Sequence, residues 1–183
     1  MESKSIAVSK LVSASVQTIF RTILTCIASV LLFVNAAPAS ANQWSFLVNG
    51  KAIHLEKPVG TKYNEENWGA GVQYDFTSKD SKWIPFLTAS GFKDSNKNPS
   101  YYAGGGVMYR YALGAEKNSL RLDTGLVAFA MVRKNYMNGN PFLGALPVVS
   151  FGNDRLALNV TYIPKVDPKL IPLIFLQLKI GIN

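Results

Sequence analysis

The fold is decided by nine residues, Trp68–Phe76, which read WGAGVQYDF. Every second side chain, beginning with Trp68, is apolar or aromatic, and those between are glycine, glutamine or aspartate. Because successive side chains of a β-strand point to opposite faces, this strand has one apolar face and one small or polar face. Residues 155–162 repeat the pattern. Soluble sandwiches and membrane barrels both produce such alternation, so strand number and length must separate them.

Turn signals divide the chain beyond residue 41 into eight candidate strands. Their lengths match the ~9–11 residues that a tilted strand needs to cross a bilayer, and exceed the ~5–6 typical of soluble strands. We therefore predict an all-β fold, an eight-stranded antiparallel transmembrane β-barrel of the outer-membrane type. The predicted strands are 44–56, 67–78, 82–92, 100–113, 119–133, 142–151, 154–163 and 170–182.

Two further features favour a barrel in a membrane. Connections at 79–81, 114–118 and 152–153 are shorter than those at 57–66, 93–99 and 134–141, which resembles the alternation of turns and loops in outer-membrane barrels. Aromatic residues near the strand ends are expected to form girdles at the two membrane interfaces. They are Trp44, Trp68, Trp83, Tyr101, Tyr102, Tyr109, Tyr111 and Tyr162.

The N-terminus is typical of a secretory signal peptide. Three basic residues precede an apolar run at 23–34, and Ala39-Ser40-Ala41 matches a cleavage site. The run is shorter than the ~20 residues of a spanning helix, which disfavours a membrane anchor. We predict a cleaved signal peptide at 1–41 and a single β-barrel domain at 42–183. The only cysteine, Cys26, lies in the signal, so the mature chain forms no disulfide.

The charge of the mature chain points to an anionic membrane surface. Without residues 1–41 the chain has 16 basic and 10 acidic residues, a net charge of +6. No basic block or nucleic-acid motif accompanies this charge, so we expect no nucleic-acid partner.

Candidate chemistry lies in Phe92–Ser95, FKDS, where a carboxylate stands beside a hydroxyl at the end of an alternating strand. On residue types alone, Asp-Ser after an apolar run is more often a turn, because both side chains bond local backbone. The chain has one histidine, His54, so only one general base of that type exists. One histidine cannot build the usual zinc site, and we expect neither metal nor cofactor.

Five segments, in order, resemble the lipid A palmitoyltransferase (PagP) family. They are Tyr63–Gly71 (YNEENWGAG), Phe92–Ser95 (FKDS), Ala103–Gly106 (AGGG), Leu146–Gly152 (LPVVSFG) and Thr161–Pro164 (TYIP). The resemblance implies a barrel in the outer membrane of a Gram-negative bacterium. It implies an acyltransferase that moves palmitate from a glycerophospholipid to lipid A. This lipopolysaccharide modification gives resistance to cationic antimicrobial peptides. As to assembly, we expect a monomer or a homodimer.

The resemblance also implies which residues act. His54, Asp94 and Ser95 match the family's catalytic residues, and imidazole, carboxylate and hydroxyl suit proton transfer and oxyanion stabilisation. Whether Ser95 attacks or only donates stays open. Gly106 matches the floor of the acyl pocket. Pro147 and Pro164 match a gap in the barrel wall that gives a lipid lateral access, since proline removes a ladder donor.

The chain differs from the family at two places, and two alternative functions stay open. About a dozen residues separate Asn42 from His54, so the family's N-terminal amphipathic helix is expected to be missing. Asn67 stands where the family has a proline before Trp68. The alternatives are a lipid A deacylase of similar size, which would want a histidine late in the chain, and a non-enzymatic structural or adhesion barrel with a polar interior.

Overall fold

The computed structural model describes residues 42–56, 60, 62–115, 119–165 and 171–182. Each strand pairs antiparallel with the next and β8 returns to β1, which closes the barrel. The predicted all-β, eight-stranded fold is confirmed. The strands are β1 (Gln43–His54), β2 (Glu66–Asp75), β3 (Trp83–Lys93), β4 (Pro99–Ala112), β5 (Arg121–Arg133), β6 (Phe142–Gly152), β7 (Leu156–Ile163) and β8 (Leu173–Ile182), and a 3-10 turn covers Met137–Gly139.

The predicted signal peptide, 1–41, lies outside the described residues, so its cleavage and the domain boundary stay predictions. The residues between Asn42 and His54, on which the expected lack of an amphipathic helix is based, form strand β1. No helix within the described ranges is long and apolar enough to cross a membrane.

The outer surface of the barrel is apolar. Its exposed large side chains include Trp44, Trp68, Leu126, Leu143, Phe151 and Leu158. Seven of the eight predicted girdle aromatics lie on this surface: six are exposed, and Tyr109 packs against Trp83 along it. Tyr102 was wrongly assigned to the girdle. It is the strand neighbour of exposed Tyr101, so it must point inward, where it lines a cavity.

The two ends of the barrel differ in their interior. We call the end of the barrel at which β2 ends and β3 begins the turn end, and the opposite end, at which β1 ends and β2 begins, the mouth. At the turn end, charged side chains fill the interior. The connection lengths alternate less cleanly than expected, because 113–120 is longer than the mouth loop 94–98.

A β-bulge decides which way the end of β1 faces. Asn49 pairs with Gln177 and Ala52 with Phe175, so two residues of β1, Gly50 and Lys51, oppose one of β8. Before the bulge the odd-numbered residues are buried, and after it Ala52 and His54 are buried. Because one extra residue inverts the alternation, the bulge turns His54 into the barrel.

Candidate active site at the barrel mouth

His54 and Ser95 meet at the mouth. The His54 Nε2 atom lies 3.0 Å from the Ser95 hydroxyl oxygen, which is hydrogen-bond distance. His54 ends β1, Ser95 follows β3, and strand β2 separates the two in the sheet. The His54 side chain is 2% exposed. The pair therefore has the geometry by which an imidazole takes or returns a hydroxyl proton.

The segment Tyr63–Asn67 holds both members of this pair. The Tyr63 ring stacks on the imidazole, with 4.6 Å between ring centroids and 17° between planes. The Asn64 backbone N–H donates to the Ser95 carbonyl at 2.8 Å, and its side-chain amide donates to the Asp94 carbonyl at 3.1 Å. The Asn67 amide donates to the Lys93 carbonyl at 2.7 Å. Three side chains of one segment thus fix the imidazole and the serine loop.

Asp94 bonds its own loop. Its Oδ1 accepts the backbone N–H groups of Asn96 at 2.8 Å and Asn98 at 2.9 Å. Its Oδ2 lies 3.3 Å from the Ser100 hydroxyl and 3.5 Å from an Arg133 nitrogen. Asp94 is 1% exposed. The Asp94 carboxylate therefore shapes the loop that carries Ser95, the next residue in the chain.

Sequence reasoning assigned no role to Glu65. Its Oε1 lies 3.6 Å from the Nδ1 atom of His54, on the opposite side of the ring from Ser95. The segment YNEENWGAG contains this residue, but an exposed-looking Glu65-Glu66 pair after a loop gives no signal of which carboxylate turns inward. Arg133, the last residue of β5, is a further charged residue at the mouth.

Below this pair lies a cavity of about 330 Å³. Phe86 at its base lies eight steps along the chain from Asp94 at its mouth, about 26 Å of chain and, at a strand tilt near 40°, about 20 Å of depth. Most of the lining is apolar, so the cavity suits a long hydrocarbon chain. The main apolar contributors are Phe86, Phe92, Val127, Phe129, Leu146, Val148 and Phe175.

Gly106 lies at the level of this base. It pairs with Phe86 on β3 and Val127 on β5, and Phe86 packs with Met108 and Val148 in the core cluster beneath the cavity. A Cβ atom on Gly106 would clash with the Leu126 backbone carbonyl oxygen, the nearest atom, and stand 2.7 Å from the Phe86 ring. The missing side chain therefore provides the space in which the Phe86 ring rests.

The predicted proline pair flanks a seam between β6 and β7. The ladder joining these strands has five pairs, from Gly152 and Ala157 to Val148 and Thr161, and is the shortest in the barrel. Pro147 lies within β6, next to the last paired residue Val148, and is exposed. Pro164 directly follows the end of β7. Residues on both sides of the seam line the cavity, including Ala145 and Pro164.

One wall of the cavity carries a polar network. Gln177 donates through Nε2 to Asn49 Oδ1 at 2.6 Å and to the Tyr102 hydroxyl at 3.1 Å. Asn49 donates to the Ser90 hydroxyl at 2.7 Å, and Asn159 donates to Gln177 Oε1 at 3.3 Å. A Cβ on Gly71, between these strands, would stand 2.5 Å from Ser90, so its absence lets Asn49 reach across β2.

Among the described residues, no three His, Cys, Asp or Glu side chains group in a way that could hold a metal ion. The expectation that the chemistry needs no metal or cofactor stays a prediction.

Known proteins similar to this chain agree on one family. The model of the family described as "Antimicrobial peptide resistance and lipid A acylation protein PagP" matches residues 50–171. A protein of Bordetella pertussis strain CS named lipid A acyltransferase PagP is 35% identical over 102 residues, 56% of this chain and 54% of that protein. One of the same name from Musicola paradisiaca is 33% identical over 103 residues, 56% of this chain and 53% of that protein.

The chain thus spans about half the length of the curated relatives it matches. Among solved structures, the Yersinia pestis outer membrane protein Ail in a phospholipid bilayer nanodisc covers 77% of this chain and 99% of its own, at 11% identity and a TM-score of 0.40. Likeness at that level carries no argument, and the closed strand pairing by itself establishes the barrel. The family match covers well over half of the chain, so the chain belongs to the PagP family.

Proposed function

We propose that this protein is an outer-membrane acyltransferase that moves a palmitoyl chain from a glycerophospholipid to a hydroxyl group of lipid A. The observation that supports this most is the His54–Ser95 pair standing at the mouth of a deep, apolar cavity. The cavity would hold the hydrocarbon chain while its ester group lies beside the two polar side chains. The apolar outer surface would place the barrel in a membrane.

The reaction is an ester exchange. The acceptor oxygen bonds to the carbonyl carbon, the bond from that carbon to the glycerol oxygen breaks, and the acceptor's proton ends on the lysophospholipid. His54 takes and returns this proton. Ser95 either donates to the carbonyl oxygen or first forms an acyl-serine. An ester on Ser95 that hydroxylamine cleaves would identify the second route.

Mass spectrometry of lipid A tests the activity. Cells that express the protein should gain one palmitoyl chain on lipid A. Loss of an acyl chain would instead identify a deacylase, and no change a structural barrel.

Variants of the pair test the site. His54→Ala and Ser95→Ala should each lower the transfer rate of the folded protein by about 100-fold or more, because each removes a group that moves or binds the reacting proton. Ser81→Ala, the same change at the turn end, is the matched control and should keep the rate. Unchanged transfer by both site variants would refute the site.

Two further roles rest on the same proposal. Gly106 sets the depth of the chain, so Gly106→Ala should displace the Phe86 ring and the Leu126 carbonyl group and shift the transferred chains toward shorter lengths. An unchanged length profile would contradict this. Pro147 and Pro164 keep the seam unpaired for lateral access of a lipid. Replacing both by valine should slow transfer from bilayers more than from detergent, and an equal effect in both would count against it.

A further inference from the structure

We infer that Glu65 is the carboxylate that orients the His54 imidazole, and that Asp94 acts instead on the loop of Ser95. This inference rests on the proposed role of His54 and assigns Glu65 as a positioning residue. It departs from the simplest interpretation of the sequence, in which the carboxylate beside Ser95 would also serve the histidine.

Ser95 and Glu65 face different nitrogens of the His54 ring. Ser95 Oγ lies 3.0 Å from Nε2, and Glu65 Oε1 lies 3.6 Å from Nδ1. The second distance is a few tenths of an ångström beyond a hydrogen bond. The Glu65 side chain is 34% exposed, so it has room for this small movement, and catalytic contacts commonly tighten when substrate binds.

The position of Glu65 determines the tautomer of the His54 imidazole. An ionised carboxylate can only accept a hydrogen bond, so the ring nitrogen that faces Glu65 must carry the proton in the neutral imidazole. Nε2 then presents a lone pair to Ser95, whose hydroxyl donates to it. In this arrangement His54 is ready to act as a base toward Ser95 or toward an acceptor hydroxyl that takes its place.

In the described geometry Asp94 does not orient the imidazole. Both of its oxygens are engaged away from the imidazole, Oδ1 by two backbone N–H groups of the loop and Oδ2 by Ser100 and Arg133. Turning the Asp94 carboxylate toward the imidazole would break its contacts with these four donors.

Glu65 belongs to the segment Tyr63–Asn67, which holds both members of the His54–Ser95 pair. Its neighbour Tyr63 stacks on the same imidazole and its neighbour Asn64 bonds the carbonyls of Asp94 and Ser95. Glu65 therefore belongs to the stretch of chain that sets the relative position of the imidazole and the serine.

The experiment uses the single histidine of the mature chain, produced without a histidine tag and labelled with ¹⁵N in detergent micelles. One imidazole gives one pair of ring-nitrogen signals, and the wild type should show protonated Nδ1 and unprotonated Nε2. Glu65→Gln should lose this preference, since the amide can donate as well as accept. Protonated Nε2 in the wild type would overturn the inference.

Kinetics supply the second readout. Glu65→Gln should lower kcat roughly 10- to 100-fold with little change in KM, while Glu65→Asp keeps the charge and should recover part of the rate. Glu66→Gln is the matched control, because this exposed neighbour points away from the site. Wild-type kcat in Glu65→Gln, measured per folded barrel, would overturn the inference.

The two readouts separate this inference from the proposed function. If the ring signals respond to Glu65 but His54→Ala keeps full transfer, the orientation by Glu65 stands and the catalytic site of the proposed function fails. Should Glu65→Gln not fold, the wild-type spectrum and Glu65→Asp still decide the outcome.

Discussion

The two ends of the barrel interior both contain charged side chains, but they use them differently. At the turn end, Arg110 grips Asp123 through two hydrogen bonds of 2.9 Å, and Arg121 adds a third at 3.1 Å. Lys179 pairs directly with Asp75, and both are almost fully buried. Charges buried in this way are held by close, complementary partners.

Inside the mouth the charged contacts are longer, although the exposed loop pair Lys165–Glu56 lies at 2.8 Å. Arg133 lies 3.5 Å from Asp94, and Glu65 lies 3.6 Å from His54. The Arg133 and Glu65 side chains are partly exposed, and Arg133 lines the cavity. The interior charges at the turn end are thus held in short, buried pairs, while those inside the mouth lie farther apart and are partly exposed.

The largest expected effect is at the turn end. Asp123→Asn removes the carboxylate that buried Arg121 and partly exposed Arg110 share, and should cost about 3 kcal/mol of unfolding free energy, because Arg121 keeps Asp154 as a partner. Urea unfolding in lipid vesicles, followed by tryptophan fluorescence, measures the loss. Asp80→Asn in an exposed turn is the control. Transfer per folded molecule should stay near wild type, and a strong loss of rate without loss of stability would break the comparison.

Asp94 should give an intermediate effect that depends on the replacement. Asn keeps an oxygen that accepts the two loop N–H groups, whereas Ala keeps none. We expect Asp94→Ala to lower transfer roughly 10-fold more than Asp94→Asn, the equivalent of about 1.4 kcal/mol. Rates per folded barrel measure this. Equal and complete inactivation by both variants would show instead that the negative charge takes part in the chemistry.

The smallest expected effect belongs to Arg133. If the proposed reaction holds, a partly exposed cation at the mouth should help to bind the phosphate groups of its lipid substrates, so Arg133→Met should raise KM roughly fivefold, which corresponds to a contact of about 1 kcal/mol. Lys134→Met, next to it on the exposed loop, is the control. A change in kcat rather than KM would indicate that Arg133 acts through the Asp94 loop.

Much of the fold could be predicted because alternation is a local property. Trp68–Phe76 shows its two faces directly, and eight runs of this kind leave few architectures. Tyr102 shows where the approach fails, since Tyr101 and Tyr102 are both plausible girdle residues and only the register decides which one points inward. The seam was predicted in position from two prolines, but its extent depends on where the β6–β7 ladder ends.

By itself, the sequence determined the barrel, its apolar exterior and the residue types available for chemistry, because each follows from spacing along the chain. Only the tertiary structure decided the site. The bulge at Gly50 and Lys51 turns His54 inward, and the fold of the barrel brings a glutamate from one loop and a serine from another to opposite sides of its ring. Contacts between strands far apart in sequence depend on register and closure, which no local pattern contains.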